Sequence, residues 1–381
     1  MPPKFSHPGV YIEEVPSGLR PIAGVATSLT AIIGTFPQGP INVAKRIRSW
    51  AEFTRVYGGH RNPTLTACCV QQFYDNGGAE LLIIRIGSGT LRSMRPVLKG
   101  LAVLEQEGDV KILCIPQTHE LADRDAARVF RAAVRLTEQL DAMYLLDPPQ
   151  KQAKRSTASS LQQWIARQRT IRHPNVAIYS PRVRVHPNAK ASQNKLIPAS
   201  GTMAGVLTRT DRLRGVWKAP AGMQAQLKKV EGLERQFTDQ ELGMLTPWGI
   251  NSFRTLSANR IVSWGARTTA QQPEWQYVPI RRLALFLKAS IHRGTQWVVF
   301  EPNDEPLWAK VRNTIEQFMM QQFQNGALAG TKPSQAFFVK CGRDTITTRD
   351  QQTGIIKIMV GFAPLKPAEF VILNFQHRLL T

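Results

Sequence analysis

The sequence predicts an α/β outer domain with a mostly parallel sheet, a small α+β C-terminal domain, and extended strand arms at both ends. Three observations predict this. Short apolar runs alternate with helix-patterned segments between Val25 and Tyr179, the signature of strands joined by crossover helices. From about Trp264 the pattern changes to two long amphipathic helices followed by three strand-like runs. The termini carry strand-like segments set apart from either unit. The expected division is 1–22 as an N-terminal arm, 23–255 as the outer domain, 256–364 as the C-terminal domain and 365–381 as a C-terminal strand arm. A chain of 381 residues suits two domains of ordinary size.

The first 22 residues hold prolines at positions 2, 3, 8, 16 and 21. Proline removes a backbone donor and restricts its predecessor, so a helix is excluded there. Between those prolines, Val10, Tyr11, Ile12, Glu13, Glu14 and Val15 form a β-prone run. A lone strand must find a pairing edge, in its own chain or in a neighbour.

The outer domain follows element by element. Leu29 to Gly34, Leu81 to Ile86, Lys111 to Ile115, Met143 to Leu146 and Val176 to Tyr179 read as buried strands. Leu65 to Asn76 reads as a helix stopped by Gly77 and Gly78. Asp123 is placed to cap a helix whose apolar positions Val129, Ala133, Leu136, Leu140 and Met143 recur at spacings of four and three. Leu161 to Gln168 is a further helix. Residues 182–255 are rich in Pro, Gly, Ala and Arg with weak periodicity, which predicts long connections and short helices.

In the C-terminal domain, Pro279 suits the first position of a helix that presents Ile280, Leu283, Leu287 and Ile291, with Gly294 past its end. Gln296 to Phe300 reads as a strand. Asp304 caps a long helix with Pro306 in its first turn, an apolar face of Leu307, Val311, Ile315 and Phe318, and Gly326 as its stop. Ala336 to Lys340, Ile355 to Phe362 and Glu369 to Phe375 are the closing strands.

Charge and chemistry limit the function. The chain carries 49 Lys+Arg against 27 Asp+Glu, a formal +22, which predicts an acidic partner. Residues 151–235 hold 17 Lys+Arg and 3 Asp+Glu, a net of 17 − 3 = +14. That stretch is either a solvated basic face or a contact surface. Its Trp164, Tyr179 and Trp217 could stack on bases while the arginines neutralise phosphate, so a basic nucleic-acid-binding protein is the alternative reading. No zinc finger, helix-turn-helix spacing or RNA-recognition signature accompanies them, and nucleic acid is not expected as the main partner. Cys68, Cys69, Cys114 and Cys341 suggest neither a disulfide framework nor a zinc site. Seven histidines make no close ligand pair. No phosphate loop, dinucleotide fingerprint or nucleophile elbow occurs. Ser200 lacks a visible base, and Asp147, before Pro148 and Pro149, reads as a turn. No catalytic residue, metal or cofactor is expected. There is no apolar leader at the start and no run of about 18 apolar residues, so neither a secretory signal nor membrane insertion is expected.

Four ordered stretches stand out along the chain. The first is Pro8 to Gly18 (PGVYIEEVPSG) with Arg20 to Ile22, Gly24 to Ser28, Ile33, Gly34, Gly39 and Pro40. The second is Pro198 to Gly201, Ala204, Gly205, Thr208 to Asp211 (TRTD) and Gly215 to Gly222 (GVWKAPAG). The third is Trp248 to Asn251 (WGIN), Trp264 to Thr268 (WGART), Trp275, Tyr277 and Ile280 to Leu283 (IRRL). The fourth is Phe300 to Trp308 (FEPNDEPLW), Gly326 to Gly330 and Pro364 to Val371. Together they cover most of the chain, and as an ordered set they resemble the contractile tail-sheath family. The short sheath of extracellular contractile injection systems and R-type pyocin-like particles is the nearest variant. The middle of the chain, Arg209 to Arg214 included, is more basic than that resemblance implies.

The resemblance implies a structural subunit, not an enzyme, with the C-terminal domain on the inside. It implies polymerisation with copies of itself in stacked rings, usually of six, around an inner tube protein. Baseplate and terminator or cap proteins, and in some particles paralogous sheath subunits, complete the partner set. It implies assembly in the cytoplasm into a phage tail or an injection particle, and nucleotide-independent contraction. The arm residues Val10 to Val15 and Phe370, Val371, Ile372 and Leu373 are expected to complete sheets of neighbouring subunits. Gly18, Pro21, Gly24, Pro364 and Pro367 are hinge candidates. Lys310 and Arg312 are candidates for gripping an acidic inner tube.

Overall fold

A computed structural model describes residues 20–59, 63–149, 157–187, 194–257 and 260–365, together with the backbone of 371–378. The outer domain is organised by a seven-stranded sheet. Its strands are β1 (Thr30–Gly34), β2 (Ala44–Ile47), β3 (Leu81–Arg85), β4 (Ile112–Cys114), β5 (Met143–Leu146), β6 (Val176–Tyr179) and β10 (Ile250–Asn251). The spatial order is β10-β6-β5-β4-β1-β3-β2, and only β2, at one edge, pairs antiparallel.

The apolar runs are continuous because both faces of this sheet are covered. On one face, Ala31, Ile33, Leu82, Ile84, Leu113, Tyr144 and Ile178 pack with α3 (Arg95–Leu104), α4 (Asp123–Gln139) and α5 (Ala158–Arg167). On the other, Ile32, Leu81, Ile83, Cys114, Met143 and Leu145 pack with α1 (Trp50–Tyr57), α2 (Leu65–Asp75) and α6 (Ser200–Arg214). The period of two in each strand sends alternate residues to the two cores.

Helix α6 departs from the expectation of short helices over 182–255. It runs 15 residues, and Ser200 through Arg209 are all buried. It gave no apolar period because it is enclosed all round. It lies so close to α2 that a Cβ on Gly201 would sit 2.4 Å from the Cys69 carbonyl oxygen, and one on Gly205 2.4 Å from that of Phe73. Beside it, β7 (Val183–Val185), β8 (Lys195–Ile197) and β9 (Gly232–Leu233) make a small sheet, and α7 (Asp239–Leu245) carries a capping box from Thr238 and Glu241. The hairpin of β11 (Phe253–Ser257) and β12 (Arg260–Ser263) contributes Phe253 and Ile261 to the outer core, so the expected boundary at 255/256 falls within it.

The C-terminal domain contains α8 (Val278–Gly294), α9 (Glu305–Gln324), the short α10 (Pro333–Ala336) and α11 (Thr348–Gln352), and the sheet β13 (Phe337–Lys340), β14 (Ile355–Phe362) and β15 (Val371–Arg378). Its core joins Leu287 and Ile291 of α8 to Val311, Ile315 and Phe318 of α9 and to Ile356, Ile358 and Val360 of β14. Helix α8 also sends Val278 and Leu285 into the outer core, so one rigid element serves both domains.

Several local expectations need correction. Gln296–Phe300 is a 3-10 turn, its backbone satisfied by i→i+3 bonds such as Val298 N to Thr295 O at 3.1 Å. Val298 is buried in the core and Trp297 packs against it, while Phe300 is 83% exposed. The β-branched run thus made no strand where its own local bonds closed the turn. Asp123 is the first residue of α4 and not its cap, and Met143 lies in β5. Pro279 follows Val278 inside the first turn of α8, and Gly294 is its last residue. Asp304 caps α9 as expected, its carboxylate accepting from Leu307 N at 2.9 Å, and Gly326 follows at φ +72°.

Candidate functional site

Of the residues singled out for assembly, Pro21, Gly24 and Pro364 lie in the described stretches that lead into the two terminal segments. At the N-terminal root, residues 20–28 run along α8. Ile22 is buried against Gly294, where an added Cβ would meet it at 2.6 Å. Gly24 sits so close to Phe286 that a Cβ would lie 2.9 Å from the ring. The amide of Val25 donates to Ser290 Oγ at 3.0 Å. Arg20 stacks its guanidinium 5.5 Å from the centre of Trp297, and Lys310 approaches the same ring at 4.8 Å.

The segment ends in a buried ion pair. Arg282 of α8 reaches Asp211 of α6 through two bonds, Nη1 to Oδ1 at 2.6 Å and Nη2 to Oδ2 at 2.7 Å. Thr27 completes the group: its hydroxyl donates to Asp211 Oδ2 at 2.6 Å, and its carbonyl accepts from Arg282 Nη2 at 2.8 Å. The two side chains are 4% and 5% exposed. A buried pair this well satisfied fixes geometry, and loss of one partner strands the other charge. One cluster therefore ties the incoming chain to an outer-domain helix and to the helix shared by both domains.

At the C-terminal root, β14 pairs with β13 on one side and β15 on the other, both antiparallel. The β14–β15 register runs from Phe362 opposite Val371 to Ile355 opposite Arg378. Beyond β14, the amide of Ala363 donates to Ala336 O at 2.8 Å, and the Ala363 carbonyl accepts from Ala329 N at 2.9 Å. Pro364 is buried, and Leu365 turns outward at 49% exposure.

The predicted residues distribute as follows. Val10 to Val15, Gly18, Pro367 and Phe370 lie outside the described residues. Val371, Ile372 and Leu373 open β15 and pair, in this single chain, with Phe362, Gly361 and Val360. Pro21 and Gly24 belong to the segment packed on α8, and Pro364 is buried at the end of β14. Lys310 is turned toward Trp297, and Arg312 Nη1 donates to Cys341 O at 3.3 Å. The outward part of α9 is instead Asn313, Gln317, Gln321 and Gln324, along a groove of about 760 Å³ shared with Phe337 and Phe338. Sequence reasoning missed Thr27, Asp211, Arg282 and Ser290 as a unit. A signal existed: Asp211 is one of three acids within the basic stretch 151–235.

Two further polar sites are structural. Asp147, read as a turn, is buried, and its Oδ1 accepts from Ser200 N at 3.1 Å at the start of α6. Burial raises its carboxyl to about 7, with the hydrogen bonds from Ser200 offsetting only part. Nearby His119 is pushed down to about 4 by burial, against the pull of its 2.8 Å contact with Pro116 O. Asn251 of the WGIN string donates to Ile178 O at 3.0 Å and Arg267 O at 2.7 Å, and accepts from Arg267 N at 2.6 Å. The aromatics expected to interleave with the basic stretch are not presented for stacking. Trp164 and Tyr179 are 4% and 3% exposed, and Trp217 is half-buried against the C-terminal core. Several of the stretch's cations are also engaged: Arg182 pairs with Glu234, and Arg209 bonds the carbonyls of Asn76 and Gln226. Among the described residues, no group of three or more His, Cys, Asp or Glu is placed to hold a metal, and no helix is long and apolar enough to cross a membrane.

Comparison with known proteins agrees with this architecture. Residues 270–378 match the phage tail sheath C-terminal domain. The tail sheath protein of Enterobacteria phage T4 is 27% identical over 139 residues, 36% of this chain and 21% of that protein. That of Burkholderia phage BcepMu is 26% identical over 170 residues, 41% and 34% respectively. The matched stretches thus span about a fifth to a third of those curated relatives. Among solved structures, the helical sheath of the anti-feeding prophage in the contracted state superposes with a TM-score of 0.76 at 29% identity, covering 98% of this chain and 99% of that one. The contracted sheath complex of the extracellular contractile injection system PVC gives 0.76 at 28%, covering 98% of each. A sheath tail protein from Desulfitobacterium hafniense shares the fold, with a TM-score of 0.69 at 11% identity. Residues 270–378 thus carry the phage tail sheath C-terminal domain, and nearly the whole chain is similar to the sheath proteins of contractile phage tails and injection systems.

Proposed function

We propose that this chain is a sheath subunit that polymerises into a helical, contractile tube around an inner tube and drives that tube through a target envelope without nucleotide. The observation that carries the reading is the β14–β15 pairing. Eight residues of β15 fill the edge of β14 after a connection of five residues, 366–370. The bonds made there would be the same if the strand came from a neighbouring copy, so exchange between copies leaves the local pairing energy unchanged. Five residues reach about 17 Å when extended, enough to cross to a subunit in contact. The similar chains in the anti-feeding prophage and PVC are sheath assemblies, and one similar chain comes from a baseplate.

In this reading the N-terminal arm, Val10 to Val15, adds to a second neighbour. Its root is held by Ile22, Val25 and the Thr27–Asp211–Arg282 group, which leaves Gly18 as the hinge candidate on this side. On the C-terminal side, buried Pro364 closes the rigid domain and Pro367 falls in the connection. A repeating head-to-tail contact that does not close on itself gives a helix of subunits, stacked in rings of six. Contraction rotates the rigid bodies while the exchanged strands hold. The inner tube, the baseplate, a terminator or cap, and in some particles a paralogous sheath subunit are the partners. The tube contact would come from the α9 side, with Lys310 and Arg312 released from their present engagements or the polar face along Asn313 and Gln317 used in their place.

The test is electron microscopy of the purified chain beside a version ending at Leu365. The reading expects hollow tubes from the full chain and folded, unassembled subunits from the truncation. Tubes of normal length from the truncation would overturn the exchanged-strand basis of the reading.

A further inference from the structure

Helix α4 carries a feature that the sheath architecture does not require. Arg124, Arg128, Arg131 and Arg135 recur at spacings of four, three and four, and all four are exposed. This puts the guanidinium groups in one row, about 16 Å from first to last. None of them is in an ion pair among the described residues, and Arg128 only approaches the Met94 sulfur at 4.0 Å. Met94 leads into α3, whose exposed Arg95 and Lys99 extend the basic face. The acids on the same helix are placed elsewhere. Asp123 and Asp125 sit in the first turn, favoured by the helix amides, and Glu138 in the last turn holds His173 at 2.8 Å. Glu105 and Glu107 follow the end of α3 and Glu120 precedes α4, where its carboxylate accepts from Leu91 N.

Like charges four apart on a helix repel, so a row of arginines destabilises α4 relative to a mixed row. A face that needed only solvation would gain from alternating signs. We infer that the arginine row on α4, with Arg95 and Lys99 beside it, is a docking face for an acidic protein surface other than this chain's own.

Three observations select that partner. The chain carries 27 acids against 49 bases, and many of the acids are spoken for, as in Asp75–Lys229, Asp141–Lys288, Glu234–Arg182 and Asp239–Arg254. An assembly of like copies would gather positive charge, and a heterologous acidic surface relieves it. No large apolar side chain on α3 or α4 is exposed, which removes the insertion that a membrane-binding helix uses. The aromatics near the row, Phe130, Tyr144 and Trp164, are buried, so no platform exists for stacking bases. The planar arginine fork suits bidentate pairing with carboxylates as it does with phosphates, and the duplex arm of the experiment separates the two.

The experiment uses the full chain and measures binding of fluorescent poly-L-glutamate, a DNA duplex of matched charge, and vesicles containing phosphatidylserine, each at low and physiological salt. The paired substitution Arg128→Glu with Arg131→Glu is compared with Lys218→Glu and Lys228→Glu, which change the net charge equally at exposed positions elsewhere. Thermal melts of both variants verify folding. The inference expects poly-L-glutamate to bind more tightly than the duplex or the vesicles. It also expects the α4 variant to lose at least tenfold in that affinity and the control less than threefold. Preference for the duplex or the vesicles, equal losses in the two variants, or no measurable poly-L-glutamate binding would each overturn it.

Discussion

At the scale of single residues, the Thr27–Asp211–Arg282 group is the most consequential arrangement in the molecule, because three separate segments meet in it. Asp211→Ala leaves Arg282 buried and without its carboxylate, which destabilises by about 3–5 kcal/mol. Urea unfolding should show this as a lower midpoint with an unchanged slope. The double change Asp211→Leu with Arg282→Met should recover much of the loss, since an apolar pair of similar volume carries no stranded charge. A second residue-scale prediction concerns pH. The Asp147 carboxyl rises from its ordinary 3.8 to about 7 on folding, so it contributes a destabilisation that is absent below about 4 and complete above about 7. His119 falls from 6.5 to about 4, so it contributes a destabilisation that grows as pH falls through that interval. The two slopes oppose each other. Asp147→Asn should therefore leave stability rising with pH between about 4 and 6.5, and His119→Gln should leave it falling between about 4 and 7. Chemical unfolding at half-unit pH steps separates them, and parallel profiles for the two variants would disprove the assignment.

At the scale of elements, the close approach of α6 to α2 depends on Gly201 and Gly205. Gly205→Ala would place a methyl 2.4 Å from a backbone oxygen, forcing the helices apart at about 1–3 kcal/mol. A thermal melt lowered by several degrees is the expected result, and an unchanged melt would mean that the packing is looser than described. The same helix explains where the sequence was silent. Five of the seven strands of the large sheet and helix α9 were readable, because Leu81 to Ile84 and its like are short continuous apolar runs, and Asp304 and Gly326 bracket α9; the exposed edge strand β2 and the two-residue β10 left no such run. The first ten residues of helix α6 are enclosed by α2 and the sheet, so Gly, Ser, Thr and Arg209 interrupt the apolar stripe that marks a helix. Gln296 to Phe300 misled in the opposite way, offering β-forming side chains where the backbone closes a turn. The candidate site was half legible. The closing strand stood out as a β-prone run at 369–375, whereas the Thr27–Asp211–Arg282 group joins residues 184 and 71 positions apart, which no local pattern encodes.

At the scale of the whole molecule, one helix is shared by the two hydrophobic cores. Helix α8 sends side chains into both cores and holds residues 20–28 along its length. In the proposed assembly, a force entering at Arg20 would reach both cores at once, and β15 would be the strand exchanged between copies. Removing residues 1–19 should leave the fold intact, because Ile22, Val25 and Thr27 keep their contacts. It should shorten or abolish the polymer. Circular dichroism and sedimentation of that truncation measure the two outcomes separately. The most direct measurement of the central claim is crosslinking of the β14–β15 pair, with cysteines placed at Met359 and its register partner Asn374. These are introduced into a chain whose Cys68, Cys69, Cys114 and Cys341 are replaced by serine or alanine, and the chain is oxidised after assembly. The account predicts denaturant-resistant ladders of covalently joined copies from assembled tubes. Crosslinks confined to single chains within well-formed tubes would contradict it.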